Sequence, residues 1–135
     1  MLEGFKKFNV SIGTISISVT KNGISFSRTA VIRMEKAEYV CLYIDEQTKR
    51  IAIVQAHENE EGATKFYKNQ KTVAVRWNNT ELLKTICKMM EWDLSSNLYK
   101  VEGEFIPEEK AIIFDLRRAK TEQAKSAGGT NIEEE

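Results

Sequence analysis

Two groups of cationic and amide side chains recur at comparable places in the chain. Lys21, Arg28 and Arg33 surround an Asn-Gly turn and the short run after it, and Lys71, Arg76, Asn78, Asn79 and Lys84 surround a second strand and helix start. Lysines and arginines so placed supply phosphate contacts, which position a protein on duplex DNA, and an asparagine facing a groove can read the edge of adenine. The same residues also suit a solvated face and a helix cap, so their types and spacing leave both readings open.

Other reactive side chains are more isolated. His57, the single histidine, stands beside Glu58, Glu60 and Glu61 in a polar connector, and a metal or acid-base role would need partners converging from elsewhere. Glu102 and Glu104 share a face at strand spacing, the ordinary pattern of a solvated face. Cys41 and Cys87 lie in apolar runs without a CxxC or Cys/His cluster, as buried thiols do in a reducing compartment. No glycine-rich phosphate loop, nucleophile elbow or HExxH is present. The expectation is a protein that is not an enzyme and holds neither cofactor nor metal.

The chain has 135 residues, 41% hydrophobic and 30% charged, which suffices for one core and one domain. Twenty basic residues balance twenty acidic ones, so binding to nucleic acid depends on a local patch rather than on net charge. The absence of a leader pattern and of a long apolar run suggests a soluble, cytoplasmic protein without membrane contact, as a monomer or homodimer.

Periodicity supplies the elements that must position these side chains. Thr14 to Thr20 alternates apolar and hydroxyl residues, predicting a strand, and Lys21-Asn22-Gly23 turns it into Ile24-Ser25-Phe26. Ser27 opens a helix of about two turns to Met34. Val40 to Ile44 and Ile51 to Val54 form a hairpin about a polar tip, with apolar residues on both faces of its first strand. Lys65 to Lys68 suits a strand, and Val73 to Trp77 is predicted as one. Asn78 caps a longer amphipathic helix, with Glu81 completing a capping box. A last hairpin runs from Tyr99 to Leu116 about Pro107.

The second hairpin lies on the first without a gap at a spacing of 61 residues, Ile44 on Phe105 and Ile53 on Phe114. Upstream, Ile17 lies on Phe66 and Phe26 on Val75 at a spacing of 49. The expected fold is therefore α+β, two β-β-α-β-β repeats at about 14–55 and 64–116 in one pseudo-twofold domain spanning 1–120. A disordered acidic tail is expected over 121–135.

Gly23 to Met34, followed by the Val40 to Val54 hairpin, resembles the AbrB/antitoxin swapped-hairpin family. That resemblance implies a barrel of two interlocked copies, here in one chain, and a DNA-binding regulator from a bacterium or phage. The sequence departs from the family pattern at Ile24, at Ser27 in the place of a proline, and at Val31 and Ile32, where arginines would fall. These departures favour the alternative of a protein-binding module, an antitoxin-like or anti-defence inhibitor of the same fold.

Overall fold

The computed structural model describes residues 3–5, 13–68 and 73–123. It is strand-rich with two helices, and its antiparallel strands curl into a half-barrel. Strand β1 (Ser16–Thr20) turns through Lys21 and Asn22 into β2 (Gly23–Phe26), and helix α1 (Arg28–Arg33) follows. Ser27 holds this junction together. Its Oγ accepts from Ala30 N at 3.2 Å as a cap, accepts from Ser16 N at 3.0 Å, and donates to Thr14 O. The hairpin of β3 (Tyr39–Asp45) and β4 (Arg50–Gln55) comes next, then β5 (Ala63–Lys65), β6 (Val75–Trp77) and α2 (Thr80–Met90). Strands β7 (Asn97–Ile106), β8 (Ala111–Asp115) and β9 (Lys120–Gln123) complete the order.

The strands are arranged β5-β3-β4-β8-β7-β1-β2-β6, with β9 also on β7. One end of β7 pairs with β1 and β9, and the other pairs with β8. The change of partner falls at Gly103. A Cβ there would stand 2.5 Å from Phe114 Cε1 and 2.8 Å from Ile112 Cγ2. The Phe114 ring occupies the space of the missing side chain, which lets the strand bend over the core. That core takes Ile17 and Val19 from β1, Val31 and Met34 from the α1 region, Ile53 from β4, Ile86 from α2, and Ile112 and Phe114 from β8. Leu82 and Ile86 form the buried stripe of α2.

Among the described residues, no ladder joins β5 to β6 at the two ends of the strand order. Side chains bridge them. Trp77 Nε1 donates to Lys65 O at 3.1 Å, and Phe66 meets Phe26 and Trp77 edge-on, with centroids 5.1 and 6.2 Å apart.

The hairpin tips match in detail. Lys49 and Lys110 both have left-handed backbone, at φ 61° and 51°. Lys49 O accepts from Leu116 N at 2.9 Å, and Lys110 O accepts from Gln55 N at 3.0 Å. The β4·β8 ladder is centred on Ala52 opposite Ile113.

Two expectations are corrected. Lys120–Gln123 pair with β7, so ordered structure continues past Thr121. The Asn97–Lys100 edge of β7 offers a backbone ladder, and ladder hydrogen bonds recruit a polar strand whatever its side chains. The rest of the expected tail lies outside the described residues. The second correction concerns α2, whose cap is Asn79 rather than Asn78.

Ile86→Ala should destabilise the fold by about 2–5 kcal/mol, as a large-to-small change at a fully buried site. Gly103→Ala should cost about 1–3 kcal/mol by overpacking against Phe114. Chemical denaturation of both variants checks these values, and a midpoint unmoved by Gly103→Ala would show that the bend does not depend on the missing Cβ.

Candidate nucleic-acid interface

The β2·β6 ladder brings the two halves of the chain together. Ile24 pairs with Trp77, Ser25 with Arg76 and Phe26 with Val75. The exposed Arg76 donates from Nε to Ser25 Oγ at 3.2 Å, which orients its guanidinium along the sheet surface. At the turn end the approach is closer. A Cβ on Gly23 would fall 2.4 Å from Trp77 O and 2.8 Å from Asn78 Oδ1, at a backbone φ of 138°. Only glycine fits there, so the exposed Lys21 turn lies directly beside Trp77 and Asn78. Thr20 Oγ1 tightens the turn by accepting from Asn22 N at 3.1 Å.

The shift of the cap by one residue exchanges the expected roles of the two asparagines. Asn79 Oδ1 accepts from Leu82 N at 3.0 Å and is committed to the helix start, while the side chain of Asn78 lies beside Gly23 on the exposed surface. Asn78 is thus the better placed to meet a ligand.

An open groove of about 540 Å³ adjoins this surface, lined by Lys65, Lys68, Arg76, Asn78, Asn79 and the first turns of α2. Among the described residues its cations are Lys65, Lys68 and Arg76, with Glu81 as the carboxylate beside them. Lys65 and Lys68 did not figure in the sequence reading of the site. They flank Phe66 and Tyr67 in a short polar-aromatic run whose partner strand no local pattern identifies. Arg76 belongs to both halves of this surface, lining the groove and pairing with β2.

The remaining expected residues are distributed as follows. Arg28 is exposed at the first position of α1, beyond the Phe26 end of β2 and so at the opposite end of that strand from Lys21. Lys84 is exposed on α2, away from the buried Leu82 and Ile86. Arg33 is not directed to this surface. Its guanidinium carbon sits over the Phe105 ring at 5.6 Å, and its Nε is buried without a hydrogen-bond partner. Lys71 lies outside the described residues.

The thiols have no activating surroundings. Burial pushes the Cys41 thiol up from its ordinary pKa, and the Glu60 carboxylate 3.8 Å away adds to the shift. Burial, and then the charge of Asp93, does the same at Cys87. Both are protonated near neutrality and so are poor nucleophiles. Among the described residues, no three His, Cys, Asp or Glu side chains are grouped to hold a metal, and no helix is long and apolar enough to cross a membrane.

Comparison of the chain with protein-family models, curated proteins and solved structures gives no match.

The two asparagines separate by experiment. Asn79→Ala should lower stability by about 1 kcal/mol by removing the cap. Asn78→Ala should stay within about 0.5 kcal/mol of wild type, as an exposed substitution without a structural hydrogen bond. Thermal melts of the pair check the assignment, which fails if Asn78→Ala is the more damaging.

Proposed function

We propose that the protein is an AbrB-like DNA-binding transcription regulator whose single chain carries two copies of a swapped-hairpin unit. The observation that carries the proposal is the junction at β2·β6. Backbone pairing and the Gly23 contact gather Lys21, Arg76 and Asn78 from both halves, with Lys65 and Lys68 on the adjoining groove. Several cations on one surface are what phosphate binding needs in a chain without net positive charge. On this reading Arg28 and Lys84 extend the surface at its margins, and Asn78 reaches a base edge.

The two-copy arrangement is supported by the element order β-β-α-β-β, which occurs twice. Exchanging β1 with β5, β2 with β6, β3 with β7 and β4 with β8 turns the β1·β7 pairing into β5·β3 and leaves β2·β6 and β4·β8 as they are. The hydrogen bonds Leu116 N to Lys49 O and Gln55 N to Lys110 O exchange under the 61-residue spacing of the hairpins. Among the described residues the β1·β2 ladder has no counterpart between β5 and β6, and the groove opens at that place.

The second reading is a protein-binding module of the same fold, possessing no affinity for DNA. The seating of Arg33 over Phe105 favours it, because that cation is engaged away from the phosphate-binding set.

Titration of labelled duplex DNA at several salt concentrations distinguishes the two. The regulator reading expects binding that weakens with salt. Lys65→Gln with Arg76→Gln should flatten the slope of log K against log salt by about 0.9 for each phosphate that is no longer neutralised. Asn78→Ala should change sequence preference more than affinity. Wild-type protein with no salt-sensitive binding at low ionic strength would leave the protein-binding module as the reading.

A further inference from the structure

Lys65, Lys68 and Arg76 stand exposed on the rim of the groove between β5 and β6, and among the described residues none of them enters an ion pair. Arg76 spends only its Nε on Ser25 Oγ, which leaves the two terminal nitrogens of its guanidinium for a ligand. Glu81 is the carboxylate set against these cations, so the groove keeps a positive excess in a chain of zero net charge. Cations gathered in a concave site without carboxylate partners favour an anion there.

The floor narrows the choice of anion. Leu42, Phe66, Trp77 and Leu82 line it, with Phe66 and Leu82 buried beneath the surface and Trp77 half-buried. The indole is fixed in place, since Nε1 donates to Lys65 O at 3.1 Å and the ring meets Phe26 and Phe66 edge-on, with centroids 4.9 and 6.2 Å apart. A ring held in this way offers a stacking surface at little further cost in conformational entropy. The groove, at about 540 Å³, has the volume of a small-ligand cleft, and bases stacked inside a duplex could not reach its floor. Asn78 and Glu81 add an amide and a carboxylate, hydrogen-bonding groups that a base edge or a ribose hydroxyl satisfies and a plain hydrocarbon ring does not.

We propose that this groove binds one nucleotide with its base unstacked, the phosphate on Lys65, Lys68 and Arg76 and the base against Trp77. A free nucleotide and an unpaired nucleotide of a single strand present the same chemistry to these groups. The inference does not rest on duplex binding. On the regulator reading, a bound nucleotide would compete with duplex phosphates for Lys65 and Arg76.

Calorimetric titration of the full chain with adenosine monophosphate, and with a single strand of about eight deoxyadenosines, tests the groove. Saturable binding with a Kd between about 10 µM and 1 mM is expected for an open site of this size. The emission of Trp77 should change with it, read in Trp92→Phe, which removes the other of the two tryptophans. If Trp92→Phe does not fold, the emission of the wild type is compared with that of Lys68→Glu in the same titration. Lys68→Glu, an exposed change, should weaken both ligands at least about tenfold. Tighter binding of the strand, counted per nucleotide, assigns the site to single-stranded nucleic acid, and the reverse assigns it to the free nucleotide. No saturable binding of either ligand up to about 1 mM overturns the inference. It is equally overturned if phenyl phosphate binds as tightly as adenosine monophosphate, or if binding leaves the Trp77 emission unmoved. Salt-dependent duplex binding is measured separately, so either reading can fail alone.

Discussion

The packing of the Phe114 ring against the bare backbone of Gly103 is the contact on which the sheet depends. Strand β7 has ten residues and serves β1, β8 and β9, so its bend determines how the two ends of the sheet face each other. From Phe114 a run of aromatic rings leads to the open side of the barrel. Phe114 meets Phe26 at 6.4 Å, and Phe26 meets Phe66 and Trp77 at 5.1 and 4.9 Å. Close packing transmits strain, and truncating any one ring would take dispersion attraction from its neighbours. The cationic groove is thus positioned from the centre of the core outward, although it lies on the surface.

Its shape follows from how the sheet ends. Both β5 and β6 have only three residues, and short edges bearing cations resist adventitious strand pairing. Lys65 and Arg76 serve this purpose independently of any ligand. Because Trp77 spans the gap through a side-chain hydrogen bond to Lys65 O, the two edges stay close without merging. A full ladder at this place would have closed the groove and removed the surface that joins Lys65 to Arg76.

The hairpins were legible in the sequence because their signals are local. An Asn-Gly turn fixes β1 and β2, and equal tips match Lys49 with Lys110 at 61 residues' distance, a match that their common left-handed backbone repeats. The upstream spacing of 49 is less regular. The caps Ser27 and Asn79 are 52 positions apart, since the cap that forms is the residue whose oxygen can reach a free helix N–H, and Asn78 and Asn79 look alike in sequence. The site was legible only in part. Arg76 is set beside Ser25 by a ladder between strands some fifty residues apart, which no window of local periodicity contains. Arg33 fails for the opposite reason, because an arginine at the end of a short helix gains by laying its stem and guanidinium on Phe105. Strand β9 was missed because its residues carry no apolar pattern and it forms from backbone pairing alone.

On the two-copy reading, the inner and outer faces of the hairpins have different histories of constraint. The 61-residue spacing sets Ile44 on Phe105, Ile51 on Ile112 and Ile53 on Phe114, all apolar on the face that builds the barrel. On the outer face it sets Tyr43 on Glu104 and Val54 on Asp115, while Ala52 falls on Ile113. A buried position must remain apolar or lose about 2–5 kcal/mol, whereas an exposed one can change character for a few tenths. In a homodimer every such change would appear on both subunits at once. Joining the copies in one chain removes that restriction, so Tyr43 and Val54 can be apolar while the positions 61 residues on are carboxylates. The same freedom applies at the junction of β2 and β6, where Lys21 and Arg76 come from different halves and need not be matched by equivalents.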